Sequence, residues 1–290
     1  MAQGVFPAGP ISPAPGGLFA VASVTRHSDG RTRWADGPFG WDSDLCPSGL
    51  ELADFCTNAA RGIITRTDGA PNASWPFGIV SSVECLTPGQ TVEERRAIAR
   101  KQAEAGAQKA VEYELWTGAL HRASNRLTVP YLTNNTAVDV GAAKAVSVAA
   151  GVAKLEQALA DCGLGTEGVL HLTRQAAQLA GSEGAVRMDS DGVLRTRLGT
   201  PVVAGTGYDP SVVPAAPAKA PVPAPVPLGA RPDKQWAFAT GPVHVHLGPV
   251  EDIGENLDIA TNKLSVLAGR AAAVYYDGCC TAAVQLDTTL

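Results

Sequence analysis

The chain has 290 residues, 45% hydrophobic and 18% charged, with a formal net charge of −5. That length buries a proper core as one large domain or two smaller ones, and disorder over the whole chain would need lower hydrophobicity and higher charge. The mild acidity, with no basic run longer than Arg95-Arg96, argues against a phosphate-tracking groove, and no apolar stretch approaches the ~20 residues of a membrane-spanning helix. Residues 1–23 hold no basic residue ahead of an apolar core, so no secretory signal is expected and the chain is expected to be cytosolic when made.

Residues 6–17 (FPAGPISPAPGG) are rich in proline and glycine and show no periodicity, which predicts an extended arm, floppy or wrapped around a neighbour. Residues 18–25 (LFAVASVT) read as a short strand. Residues 27–89 are dense in turn residues, with brief apolar pieces at 62–65 and 78–86. This predicts a long hairpin or loop region carrying several short strands. The clearest helix follows over residues 92–117. Thr91 and Glu94 form a capping box, Ala99, Ala103, Ala107, Ala110, Val111 and Leu115 recur at helical spacing, and Gly118 lies just past the end. At 1.5 Å per residue that helix runs ~39 Å. Its face is mostly alanine, so a close-packed neighbour is expected.

A second helix is predicted over 142–160, stopped by Cys162-Gly163, then a strand at 168–173 and a helix at 174–180. Residues 191–208 read as a turn and a strand, 215–232 as a low-complexity Pro/Ala loop, and 236–248 as an alternating strand. Residues 263–290 carry β-branched and aromatic runs around Asp277-Gly278, which predicts two strands or one bent pair. Helices and strands without βαβ regularity make the fold class α+β.

Chemistry-bearing residues are sparse. None of the six cysteines forms a C-x-x-C pair, so reduced, mostly buried thiols are expected. The alternative is a disulfide or metal among Cys46, Cys56 and Cys85, while adjacent Cys279 and Cys280 face opposite sides of a strand. His244 and His246 share one strand face, but a metal site needs a third ligand, and Glu251 has no diagnostic spacing. A polar strand face is the expectation. Residues 199–207 lack the Lys-Ser/Thr ending of a phosphate loop, and there is no G-x-S-x-G elbow. His171 is expected to be structural, at a strand edge. Asp42 and Asp44, like Asp189 and Asp191, are turn acids; the second pair resembles half a calcium loop and lacks the rest. Asn72-Ala73-Ser74 matches a glycosylation acceptor without a secretory signal to make it meaningful. No catalytic residue, cofactor or metal is assigned.

Several segments carry a resemblance when taken in order. They are AVEYELWTG at the end of the long helix, the helix–strand–helix of residues 152–180, DGVLRTRLGTPVVAGTGY at 191–208, KQWAFATGPVHVHLG at 234–248, and NKLSVLAGRAAAVYYDGCCTAAVQL at 262–286 with Arg270 before its final apolar run. From Thr91 onward this order resembles the major capsid protein of tailed bacteriophages, the shell-forming fold typified by phage Hong Kong 97. No single motif is specific; the ordered set carries the resemblance. It implies an α+β, phage-capsid-like fold with an N-terminal arm (1–40) and an extended hairpin region (41–90). A peripheral domain with the long "spine" helix (91–140) would follow, then an axial domain with a small mixed sheet and a Pro/Ala-rich loop at 209–232 (141–240). Return strands (241–290) would complete both domains.

The resemblance also implies a function. The chain would self-assemble through hexamers and pentamers into an icosahedral head shell, built in the host cytoplasm and enclosing double-stranded DNA without reading its sequence. Scaffolding, portal and cement proteins would be further partners, with no membrane involved. Candidate assembly residues are Phe6, Pro7, Pro10 and Pro13 in the arm and Ala99, Ala103, Ala107 and Ala110 on the helix. Some members of the family weld neighbouring subunits through a Lys–Asn isopeptide bond with the lysine on the hairpin. Here no lysine precedes Lys101, so a non-covalent shell is expected. Alternative readings are an encapsulin-like compartment, an accessory virion or tail protein, and, least supported, a metal-dependent enzyme using His244 and His246.

Overall fold

The computed structural model describes residues 13–28, 39–41, 72–85, 91–123, 130–134, 136–142, 144–212, 214, 232–258, 263–278 and 280–289. Among them, two mixed sheets are organised around one long helix, the α+β class that the element pattern predicts.

Helix α2 (Val92–Thr117) has the bounds read from the sequence. Thr91 Oγ1 accepts from the Glu94 amide at 3.2 Å, and the Glu94 carboxylate accepts from the Thr91 amide at 2.7 Å, so both halves of the capping box form. The helix stops at Gly118, whose φ of 59° lies in the left-handed region and whose missing Cβ leaves room for the Tyr131 ring. Ala99, Ala103 and Ala107 are buried and Ala110 is half-buried.

The first sheet is built on β14 (Lys263–Tyr276), which at ~3.3 Å per residue spans ~46 Å. One side pairs antiparallel with β4 (Phe77–Cys85). The other pairs first with β13 (Glu251–Asp258), through a register shift between Asp252 and Gly254, and then with β12 (Val243–Leu247). Strand β1 (Ser23–Arg26) adds in parallel to β12. Helix α2 lies across β4 and β14, where Ala99 packs on Val266 and Ala268. A small ladder of β2 (Phe39–Trp41) and β3 (Asn72–Ser74) is tied to this sheet by the Ser74 hydroxyl, which donates to Val274 O at 3.1 Å.

The second sheet follows the order β5-β15-β11-β7-β10-β9-β8, with β6 also on β15. Here β5 is Val138–Asp139, β6 Val146–Ser147, β7 Val169–Thr173, β8 Val186–Met188, β9 Leu194–Thr196, β10 Pro201–Gly205, β11 Lys234–Thr240 and β15 Ala282–Asp287. Its core sets Val148, Val152, Leu155 and Leu159 of α4 (Val148–Asp161) and Ala176, Ala177 and Ala180 of α5 (Arg174–Ser182) against Leu170, Leu172, Val202, Val284 and Leu286.

Besides its passage through α2 from β4 to β5, the described backbone crosses from sheet to sheet twice more, both times at one place. β11 leaves the second sheet through Gly241-Pro242 to become β12, and β14 leaves the first through Asp277-Gly278 to reach β15. The two crossings are hydrogen-bonded to each other, Gly241 N to Asp277 O at 3.1 Å and Asp277 N to Pro242 O at 3.0 Å. The single strand predicted over 236–248 is therefore two strands in different sheets. Pro242 has no donor for a ladder, and a Cβ on Gly241 would sit 2.7 Å from that of Asp277.

Other differences are local. Residues 18–21 form one helical turn, α1 (Leu18–Val21), instead of continuing the β1 strand, because Leu18 N is captured by a side chain of α2. The helix predicted from 142 begins at Val148, capped by Ser147, because β5 and β6 pair residues 138–139 and 146–147 with β15. Strand β8 carried no clear sequence signal. His171 lies on a central strand, between β11 and β10, not at a strand edge.

Candidate functional site

The most distinctive polar cluster lies where the two sheets meet, on the last three turns of α2. Glu112 is fully buried. Its Oε1 accepts from Gln108 Nε2 at 2.8 Å and Leu18 N at 2.9 Å. Its Oε2 accepts from Thr206 N at 2.6 Å, Thr206 Oγ1 at 2.7 Å and Gly207 N at 2.9 Å. A carboxylate offers about four lone-pair sites, so five donors saturate it, the three on Oε2 sharing that oxygen's lone pairs. One side chain thus joins α1, α2 and the turn after β10. Gly207 permits this approach, since a Cβ there would lie 2.3 Å from Lys109 O.

Gln108 extends the cluster toward the N-terminus, accepting from Ala14 N at 3.0 Å. Gly16 donates to Gly192 O at 3.0 Å and accepts from Ala204 N at 2.7 Å. Gly16 has φ +66°, and a Cβ on Gly17 would overlap Gln108 Nε2. The arm over residues 6–17, expected to be floppy or wrapped around a neighbour, is corrected for residues 14–17, which are bound to their own chain. Phe6, Pro7 and Pro10 lie outside the described residues; Pro13 is exposed beside α2.

An aromatic triad completes the junction. Trp116 stacks on Tyr208 at 4.5 Å and meets Phe238 edge-on at 5.1 Å, while its Nε1 donates to Asp209 O at 2.8 Å. His171, fully buried, holds the Tyr208 hydroxyl at Nδ1 (2.8 Å) and Thr240 Oγ1 at Nε2 (2.9 Å). Burial pushes its pKa down to about 3, so the ring is a neutral structural hydrogen-bonder near neutrality. Burial, reinforced by the Glu112 charge, pushes the Tyr208 phenol well above its usual range.

His244 and His246 do share a face of β12, where both rings stack on Tyr275, at 5.0 and 5.8 Å. His246 Nδ1 and His27 Nε2 are 3.0 Å apart, so one ring is spending a lone pair on the other. Burial lowers both pKa values; His27 and His244 lower that of His246 further, while Asp277 opposes the shift at His244. Among the described residues no group of three His, Cys, Asp or Glu side chains is placed to hold a metal ion. Asp189 and Asp191 are engaged by arginines: Asp189 pairs with Arg187 and Arg195, and Asp191 with Arg195. Asp42, Asp44, Cys46 and Cys56 lie outside the described residues.

The cysteine reading requires a correction. Cys162 and Cys280, expected to be reduced, form a disulfide with Cα atoms 6.0 Å apart, linking the end of α4 to the start of β15 across 118 residues. The sequence signal is slight: Cys162 ends a helix and Cys280 follows a turn, and only the fold makes them neighbours. Glu112 and Gln108 were missed for a different reason. With Trp116 they form a second row at i, i+4 spacing beside the alanine stripe, and a polar row beside an apolar one ordinarily faces water.

No family model and no curated protein matches the sequence. Solved structures match along nearly its whole length. The capsid of an empty GTA particle is 13% identical with a TM-score of 0.56, over 99% of this chain and 94% of that one. The SrpI encapsulin of Synechococcus elongatus is 12% identical with a TM-score of 0.53, over 99% and 94%. The capsid of Ralstonia phage GP4 is 10% identical with a TM-score of 0.51, over 100% and 96%. At such identities the likeness is one of fold. This chain has the Hong Kong 97-like capsid fold.

Proposed function

We propose that the chain is the major capsid protein of a tailed bacteriophage, self-assembling through hexamers and pentamers into a head shell around double-stranded DNA. The observation that carries this reading is end-to-end coverage: the neighbours are shell subunits, and each is matched over 94% or more of its own length. The peripheral domain would be the first sheet with α2, and the axial domain the second sheet. The candidate residues Ala99, Ala103 and Ala107 would then act on assembly through the fold, since they are buried within the chain's own structure. The acid excess suits a container that encloses DNA without gripping it, because binding strength to a polyanion scales with the phosphates a protein neutralises. Scaffolding, portal and cement proteins, and assembly in the host cytoplasm, belong to the same reading.

An encapsulin-like compartment is the second reading, favoured by the encapsulin among the neighbours. Electron microscopy of the expressed full chain tests the shell, with icosahedral particles or capsomers expected and a monomer under all conditions overturning it. Particles recovered with DNA from infected cells favour the phage head; particles that hold a protein cargo favour the compartment. Denaturing, reducing electrophoresis tests the non-covalent shell: one band near 29.8 kDa is expected, and a covalent ladder overturns that part.

A further inference from the structure

Between the start of the described chain and α2 lies a cavity of about 320 Å³. Pro13 and Phe19 form part of its apolar wall, and Arg26, Lys109, Arg270 and Glu104 also line it, three cations against one acid. Among the described residues, neither the Arg26 nor the Lys109 side chain has a hydrogen-bond or ion-pair partner. Arg270 is half-buried and gives Nε and Nη2 to a single backbone oxygen, Gly248 O, at 2.9 and 2.5 Å; among the described residues no carboxylate forms an ion pair with it. Desolvation and the nearby Arg26 charge both lower its pKa, with Glu104 a smaller opposing influence. Like charges gathered around a hollow, one of them half-desolvated, are stabilised by an anion that enters it.

We infer that this cavity is the seat for a carboxylate side chain of a second copy of the chain, held by Arg26, Lys109 and Arg270. The inference rests on the shell reading, because only an assembly supplies that copy at high local concentration. Charge complementarity selects the occupant. The chain carries 28 acids against 23 cations, so every copy presents surplus carboxylates to its neighbours. The same surplus repels a nucleic-acid backbone, whose capture takes several phosphate contacts and not one isolated pocket. The apolar wall beside the cations suits a peptide segment better than a free, fully hydrated ion.

Zero-length coupling with a water-soluble carbodiimide tests this on assembled full-length chain. The reagent activates a carboxylate, the Lys109 amine attacks it, an amide forms and the urea leaves. A dimer band containing a Lys109-to-carboxylate link between copies is expected, with mass spectrometry identifying the acid. Lys109→Arg keeps the charge and removes the amine, so its particles should form while that link disappears. An Arg26→Gln, Lys109→Gln chain should lose assembled fraction by about tenfold or more, since truncating one side of a desolvated charge pair is costly. Particles in which Lys109 is uncoupled, or coupled only within its own chain, overturn the inference and leave the shell reading standing. So do double-variant particles that assemble normally but lose their nucleic acid, which would assign the cavity to phosphate. A chain that never leaves the monomer overturns both.

Discussion

The two ends of α2 are held by opposite means. Toward its start the helix lies on the first sheet through alanines, and its flank is exposed: Arg96 pairs with Glu255 and Glu93, and Arg100 forms a fork with Asp252 at 2.6 and 2.8 Å. Toward its end almost every side chain is buried, polar ones included: Gln108, Glu112, Glu114 and Thr117 beside Leu115 and Trp116. The first end is a helix resting on a surface. The second is a post around which the chain start, both sheets and the β10 turn are arranged. A chain with this construction should keep its junction intact while the exposed flank tolerates change.

Removing Glu112 should break that contrast most forcefully. Glu112→Ala leaves five donors in a buried space without their acceptor, and each such group costs ~1–3 kcal/mol, so the sum rivals the entire stability of a typical domain. Little folded chain is expected. Glu112→Gln keeps the shape but turns an amide NH₂ toward donors, and should fall between the two. Urea titrations followed by circular dichroism measure both, and a Glu112→Ala chain as stable as the parent would mean that the cluster is idle.

Trp116→Ala comes next. It empties the space between Tyr208 and Phe238 and abandons Asp209 O, for which ~3–5 kcal/mol is expected by the same titration. Smaller again is Ala103→Leu on the sheet-facing stripe, where overpacking against a close neighbour costs ~1–3 kcal/mol. Should Ala103→Leu prove the more damaging of the two, the junction would not be the post described above, and the alanine contact would be.

Local chemistry made much of this legible. The capping box, the alanine spacing and Gly118 fix α2 to the residue, because each acts within a few positions of itself. The strands of residues 263–276 and 282–287 were visible for the same reason. What stayed hidden depends on distance along the chain. Glu112 finds its donors on residues 94 and 95 positions away, Cys162 finds Cys280 at 118, and Gly241-Pro242 reads as part of a strand until Asp277 occupies the other crossing. The alternation through 236–248 was real; it simply served two sheets in turn.

The smallest expected effect sharpens the comparison from the exposed end. Asp252 faces Arg100 through two hydrogen bonds, which, helped by the charges of Arg100 and Arg96, hold its carboxyl below the ordinary value of 3.8 against an opposing desolvation. A carboxyl whose pKa is lower folded than unfolded stabilises the fold once the pH is above the unfolded value. That contribution fades as the pH falls below 3.8 and through the folded pKa. Asp252→Asn should therefore lower the melting temperature only slightly near neutral pH, since exposed pairs contribute little. The gap between variant and parent should close in acid below the ordinary carboxyl value, and also in about 1 M salt, where screening acts within about 3 Å. A gap that survives both conditions would show Asp252 working through packing at the β13 register shift instead of through charge. A gap as large as that of Trp116→Ala would make the exposed flank the true anchor of α2 and reverse the order of its two ends.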